Sequence, residues 1–146
     1  MIDPTDVWRL LHVVHVLGAV VWVGGMFFAM LIMRPALADL DATRRVDVYR
    51  AAFHRFFRLI WLVMPAMLLT GYLLLFGEFG GFADASWNVH LMHMLGLAMA
   101  AVFVAIWFGP YHQFRNGQGR AMEMIRAMII ANLALGLATV VIATVG

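Results

Sequence analysis

The chain has 146 residues, of which 64% are hydrophobic and only 12% are charged. A soluble domain of this size cannot bury so much apolar surface, because small domains leave much of their surface in contact with water. The composition therefore predicts a protein whose outer surface is covered by lipid. The chain contains no cysteine, which excludes disulfide bonds and thiolate metal sites.

A helix needs about 20 apolar residues to cross the hydrocarbon core of a bilayer. Four stretches of the sequence are long enough, at residues 7–33, 56–76, 87–108 and 125–145. The polar segment between the first two, at residues 34–58, is expected to be partly helical. Arg34-Pro35 is expected to end the first helix and Gly109-Pro110 the third, while Pro65 is expected to kink the second. The sequence therefore predicts a single domain over residues 1–146, an all-α bundle of four membrane-spanning helices.

The arginines predict how this bundle is oriented. Nine of the ten arginines fall within residues 34–58 and 115–126. Short loops rich in basic residues stay in the cytoplasm, so both segments are expected there, with both termini and the loop at 78–86 outside an inner membrane. Because the arginines lie between apolar spans and form no separate basic domain, the expected partner is the lipid bilayer and not nucleic acid.

Two segments share the pattern His-x-x-His-x-Leu-Gly, at residues 12–18 and 90–96. Each opens a helix that runs from the outside inwards, which is the pattern that a parallel repeat of two helical hairpins would leave. Residues three apart share one face of a helix. Gly18 and Gly96 follow one turn later, where a missing side chain leaves room for a flat ligand or a closely packed helix.

The four histidines of this repeat, His12, His15, His90 and His93, are the main candidate site. Ionisable side chains within a membrane are costly and usually face the bundle interior or a cofactor. Imidazole is a common axial ligand of haem iron, and four-helix bundles build cofactor sites from facing helices. The sequence thus predicts a haem b held by one histidine from each pair, and non-covalently, since covalent attachment requires cysteine.

The expected role of such a haem is electron transfer with a quinol, an oxygen species or a membrane protein. Any enzymatic activity would then be that of a membrane oxidoreductase. The alternative is a copper protein without haem, because two histidine pairs can converge on one ion and thioethers also suit Cu(I). The methionines are nevertheless interpreted as adaptable packing residues. A structural subunit without a cofactor is a third hypothesis, and association with a second copy of the chain stays open.

Two further groups of residues lie at the predicted cytoplasmic face. His54 and His112 sit among arginines and aromatic residues, where contact with lipid headgroups is favoured over a second haem. Arg55 and Arg58 share a helical face and, with Arg34, could clamp a carboxylate or a quinone carbonyl, because arginine donates in a fixed geometry and stacks on rings. Headgroup binding is the favoured interpretation of these arginines too.

The segment His15–Phe28, followed by Arg34-Pro35, resembles the first helix of the CopD-like membrane proteins. That group is named for copper resistance and is similar to the HemJ-type protoporphyrinogen oxidases. Short motifs extend the resemblance over most of the chain, at residues 56–61, 70–72, 89–92 and 110–111.

The resemblance implies a four-helix membrane protein that binds b-type haem in the oxidase branch and handles copper in the other. His15 matches the haem-ligand histidine of the oxidase branch. That branch also relies on a lysine in the third helix, and this sequence contains no lysine. Protoporphyrinogen oxidation is therefore not implied, and His90 or His93 occupies that region. The resemblance favours His90 as the partner of His15, whereas the internal repeat favours His93.

Overall fold

A computed structural model of the chain describes residues 1–146 and contains only helices and their connections. The helices are α1 (Pro4–Phe28), a π-helical turn (Ala29–Met33), α2 (Arg34–Ala36), α3 (Ala42–Gly77), α4 (Trp87–Phe108), α5 (Pro110–Arg115) and α6 (Ala121–Val145). Four continuous helical segments are long and apolar enough to cross a membrane, at residues 4–36, 42–77, 87–115 and 121–145. The predicted class, an all-α multi-pass membrane protein, is confirmed.

Capping residues start two of these helices outside the apolar stretches. The Asp3 carboxylate accepts a hydrogen bond from the backbone N–H of Thr5 (3.1 Å), and the Asp41 carboxylate accepts one from the N–H of Arg44 (2.8 Å). As a result α3 begins at Ala42, not near residue 56. At 1.5 Å per residue α3 is about 54 Å long, whereas the hydrocarbon core is about 30 Å thick. Its first turns therefore extend beyond that core or are strongly tilted.

The sequence predicted that Arg34-Pro35 would end the first helix, but the helix continues to Ala36. Proline has no N–H, and its ring clashes with the carbonyl of the residue four positions earlier in an α-helix. The π-helical turn directly before Pro35 widens the helix by one residue, and the N–H of Arg34 donates to the carbonyl of Ala29. The helix thus passes the proline instead of stopping. Helix α3 also continues through Pro65, where the sequence predicted a kink and not an end.

The four long helices form two antiparallel hairpins, α1 with α3 and α4 with α6. Helix α3 also contacts α4, and α6 also contacts α1, so α1 and α4 lie on one diagonal of the bundle. They approach each other at its centre, where the rings of Trp22 and Phe103 meet edge to face at 6.3 Å. We call the end formed by residues 34–58 and 109–126 the arginine end, and the end with both chain termini and residues 78–86 the terminal end.

Close packing is concentrated in the half of the bundle next to the arginine end. All members of the main core cluster fall within residues 22–30, 49–64, 99–114 and 121–133. Phe57 is central to it, with its ring 4.8 Å from that of Tyr111 and 6.0 Å from that of Phe103. Edge-to-face pairs contribute roughly 0.5–1.5 kcal/mol each beyond the burial of area. This cluster joins α3 to α4 and α5.

Small residues set the approach of α1 to α3. Membrane helices gain little from hydrophobic burial against each other, so close backbone approach at small residues contributes much of their packing. A β-carbon at Gly25 would overlap the ring of Phe56, and one at Gly18 would overlap the side chain of Met67. Gly24, by contrast, has nothing within 4 Å of the position its β-carbon would occupy.

This difference predicts that Gly25→Val is destabilising and Gly24→Val is not. Overpacking of a filled interface costs about 1–3 kcal/mol, and at Gly25 either the Phe56 ring or the α1–α3 contact must shift. Thermal unfolding of the two variants in the same detergent, followed by helical circular dichroism, measures the difference. Equal midpoints for both variants would show that Phe56 does not hold α1 against α3.

Candidate functional site

His15 lies on the face of α1 that turns towards the bundle interior. It precedes the buried residues Trp22 and Met26 by seven and eleven positions, which places all three on one stripe of the helix. Its own side chain is half buried, because it lies on the terminal side of the close-packed half of the bundle. His15 is thus the histidine of the first pair that faces inwards, whereas His12 is exposed.

Two acceptors on α3 fix the His15 ring. Its Nδ1 lies 3.0 Å from the backbone carbonyl of Met67 and 3.0 Å from the hydroxyl of Thr70. A carbonyl can only accept, so Nδ1 carries the proton and donates. The Thr70 hydroxyl donates to the carbonyl of Ala66 (2.8 Å), which leaves its oxygen free to accept from His15. The neutral ring therefore presents the lone pair of Nε2.

This is the hydrogen-bond pattern that metal-binding histidines commonly show. Such a histidine donates its other ring N–H to a carbonyl, carboxylate or water, which orients the ring and strengthens its basicity. The site also includes a soft donor, since the Met67 thioether packs over Gly18, one turn along α1 from His15. On α3, a β-carbon at Gly71 would lie 3.2 Å from Cε1 of His15. The imidazole is thus closely seated against that helix.

His90 and His93 belong to a separate aromatic group at the same end. The Tyr72 hydroxyl lies 3.3 Å from Nε2 of His93, and the two rings meet edge to face at 4.9 Å. Phe82, from the loop between α3 and α4, stacks on His90 at 6.2 Å and meets His93 edge to face at 5.3 Å. Both histidines are half buried.

The two histidine pairs reach the same end from opposite corners of the bundle. His15 packs against Met67, Thr70 and Gly71, whereas His93 packs against Tyr72 on a different face of α3. No three or more histidine or acidic side chains are grouped so that they could hold one metal ion. The structure therefore does not assemble the four histidines into a single centre. It places one inward-facing imidazole on α1 and two half-buried imidazoles on α4.

The remaining predicted site residues are exposed. His12 lines a groove of about 560 Å³ at the terminal end, together with Trp8, Arg9 and Glu78. His54 and His112 are exposed at the arginine end, where His112 is within 3.3 Å of both the Arg115 guanidinium and the Asn116 amide.

The predicted arginines do not form one group. Arg55 and Arg58 are exposed, and Arg55 donates to the carbonyl of Ala51 on its own helix (3.1 Å). Arg34 lies apart from them and lines a small cavity together with Arg45 and Arg126.

Sequence reasoning did not identify Met67, Thr70 or Tyr72 as partners of the histidines. A hydroxyl group within an apolar span is the signal that Thr70 and Tyr72 offered, because such groups need hydrogen-bond partners in lipid. Nothing in the sequence distinguished Met67 from the other methionines, since its carbonyl makes the contact.

The fold and the candidate site describe a multi-pass helical membrane protein with three half-buried imidazole side chains near one end. Residues 50–145, well over half of the chain, match the family described as Copper resistance protein D (CopD). The chain belongs to this family. The matched segment includes His90, His93, Thr70 and Tyr72, while His12 and His15 precede it. No curated protein and no solved structure matches the chain.

The hydrogen bonds of His15 predict its tautomer. Nδ1 should carry the proton and Nε2 should be unprotonated in the neutral ring, because both α3 partners accept from Nδ1. The nitrogen shifts of ¹⁵N-histidine-labelled protein measure this, with the His15→Gln variant identifying the signal by its loss. A ring protonated mainly at Nε2 would contradict the assignment of Nδ1 as the hydrogen-bond donor to α3.

Proposed function

We propose that this protein handles copper within the membrane and that Nε2 of His15 is a copper ligand at the terminal end. The observation that carries the proposal is the pair of hydrogen bonds from Nδ1 of His15 to Met67 and Thr70. They hold the ring in the tautomer that metal binding requires. Membership of the CopD family supports copper as the metal.

The donors near His15 suit Cu(I) better than harder ions. Imidazole and thioether groups favour soft transition metals, whereas Mg²⁺ and Ca²⁺ prefer carboxylate and carbonyl oxygens. No carboxylate is among the His15 contacts, and the chain has no cysteine. The proposed site therefore uses few donors, namely His15 together with the neighbouring Met67 thioether.

A haem b protein is the second candidate function. Its specific support is Gly96, one turn beyond His93, where an added β-carbon would meet nothing within 4 Å. In this proposal His15 and either His93 or His90 would be the two axial ligands, one from each of the paired histidine motifs. Haem would supply electron transfer with a quinol or a redox partner, and it would be bound non-covalently.

We further propose the orientation that the arginines indicate, with the arginine end in the cytoplasm and the terminal end outside an inner membrane. His15 and its partners would then face the compartment from which external copper arrives.

Copper binding should depend on His15 and on Thr70. We expect His15→Ala to abolish stoichiometric Cu(I) binding by purified protein. Thr70→Val should weaken it about ten- to a hundredfold, the usual effect of removing an outer-shell partner. Thr139→Val is the matched control, because Thr139 also donates to the carbonyl four residues earlier (2.8 Å) and has no histidine partner. Competition with a Cu(I) chelator measures the affinities.

Metal analysis and an absorption spectrum of the same sample separate the two candidates. Copper without a Soret band supports the copper function, and iron with a Soret band supports haem. In the haem case His15→Ala should remove the band and His54→Ala should retain it, while His90→Gln and His93→Gln identify the second ligand. Neither metal, or copper binding unchanged in His15→Ala, would contradict the copper proposal.

The orientation is tested separately with reporter fusions. Alkaline phosphatase, which is active only outside the cytoplasm, should be active when fused after Gly146. The same enzyme fused after Gly117, in the connection between α5 and α6, should be inactive, because that connection belongs to the arginine end. The opposite activities would show that the protein has the opposite orientation in the membrane, and the fold would be unaffected.

A further inference from the structure

The arginine end contains a small cavity that neither the histidine site nor the family assignment explains. Its volume is about 200 Å³, and its lining comes from three separate segments of the chain. Arg34 follows the π-helical turn, Arg45 lies in the first turns of α3, and Glu123 and Arg126 lie at the start of α6. Three guanidinium groups thus share one cavity with a single carboxylate.

Arg126 is the fixed element of this cavity. Only 9% of the residue is exposed, and its guanidinium lies 4.9 Å from the centre of the Tyr49 ring. One of its nitrogens donates to the Glu123 carboxylate at 2.8 Å, while its Nε is buried and has no hydrogen-bond partner. Contact with a ring face and an ion pair hold an arginine in place.

The other two arginines retain most of their hydrogen-bonding capacity. Arg45 donates to the carbonyl of Ala38 (3.3 Å), and neither Arg34 nor Arg45 forms an ion pair. Each guanidinium carries five N–H donors in one plane. Glu123 cannot neutralise the cavity, since it carries one charge against three and its side chain is 74% exposed.

The chemistry that matches these donors is a phosphate group. Its oxygens accept several hydrogen bonds and its charge complements the excess of guanidinium groups, a combination for which arginine is especially suited. Pockets for drug-sized ligands are usually about 300–1,000 Å³, so this smaller cavity fits a single phosphate and not a large ligand. We propose that Arg34, Arg45 and Arg126 form a phosphate-binding site at the arginine end of the bundle.

The bound phosphate would add a polar link between segments that already pack through the core cluster. It would join the end of the first spanning helix to the starts of α3 and α6, which belong to both hairpins. The phosphate of an anionic phospholipid and free inorganic phosphate offer the same acceptors, and the test separates these two sources.

The experiment uses the full chain, freed of lipid in a neutral detergent, with inorganic phosphate as the first probe. The second probe is the protein in phosphatidylcholine nanodiscs with or without phosphatidylglycerol. Thermal stability is measured in the detergent samples and in the nanodiscs, and bound lipid is counted by mass spectrometry. Arg34→Gln/Arg45→Gln is the test variant, because Arg34 is exposed, Arg45 is half buried and neither forms an ion pair, so their loss should not prevent folding. Arg44→Gln/Arg120→Gln is the matched control, since it removes the same charge from exposed positions at the same end.

We expect the test variant to bind the effective probe about ten- to a hundredfold more weakly, as for loss of hydrogen bonds to a charged group, and the control to change little. Arg126→Gln should have at least as large an effect if it folds. If only phosphatidylglycerol raises the thermal stability of the unmodified protein, the ligand is the lipid headgroup. If inorganic phosphate raises it, the ligand is the free ion. If both double variants lose the same amount of probe binding, the effect is due to general surface charge and the proposal is overturned. Absence of stabilisation by either probe would also overturn it.

Discussion

The uneven packing of the bundle determines what each end can do. Near the arginine end, the rings of Phe53, Phe57, Phe103 and Tyr111 interlock α3 with α4 and α5. Towards the terminal end, inward positions carry a histidine, a threonine and glycines, and few side chains are fully buried. Helices in lipid gain little from hydrophobic association, so this half depends on close approach and hydrogen bonds. The terminal half is thus the less crowded half of the bundle.

Helix α3 is the element through which the histidine site is organised. It lies between α1 and α4, which occupy a diagonal, and it supplies the carbonyl of Met67 and the hydroxyls of Thr70 and Tyr72 to both. The Thr70 hydroxyl also donates within its own helix, so its orientation is fixed before His15 binds it. Such outer contacts set the tautomer and direction of a ligand and so contribute to affinity without touching the metal.

The sequence predicted the helices because membrane spans are specified by length and apolar content alone. The bounds of α4 coincide with the prediction, since Trp87 opens the apolar stretch and Gly109-Pro110 closes it. Part of the segment at residues 34–58 was expected to be helical, but the residue at which α3 starts was not predicted. Hydropathy detects contact with lipid and not helix formation, and the arginine-rich first turns are helical without being apolar. The first spanning helix also continues past Arg34-Pro35, because a π-helical turn accommodates the proline. No pattern in the sequence predicted that turn.

The candidate site was predictable only as far as single helices extend. Spacing within a helix identified the histidine pairs, but the partners of His15 are more than 50 residues away, and their choice depends on how the helices pair. The same limit applied at the other end. Arg55 and Arg58 were grouped because they are neighbours in sequence, whereas the arginines that share a cavity come from three segments. Which charged side chains turn inwards is a property of the assembled bundle.

The buried methionines bear on whether a copper ion would pass through the protein or stay at one end. Five of them belong to the core, at positions 26, 30, 64, 99 and 122. They lie among aromatic rings, with Trp22 and Phe103 in contact at the bundle centre. Methionine is flexible and fills irregular space well, so its burial is fully explained by packing. An ion moving along these thioethers would have to separate interlocked rings and leave the hydrogen-bonded imidazole behind. If copper binds at His15 as proposed, the close-packed core favours binding or transfer at the terminal end over conduction across the whole bundle.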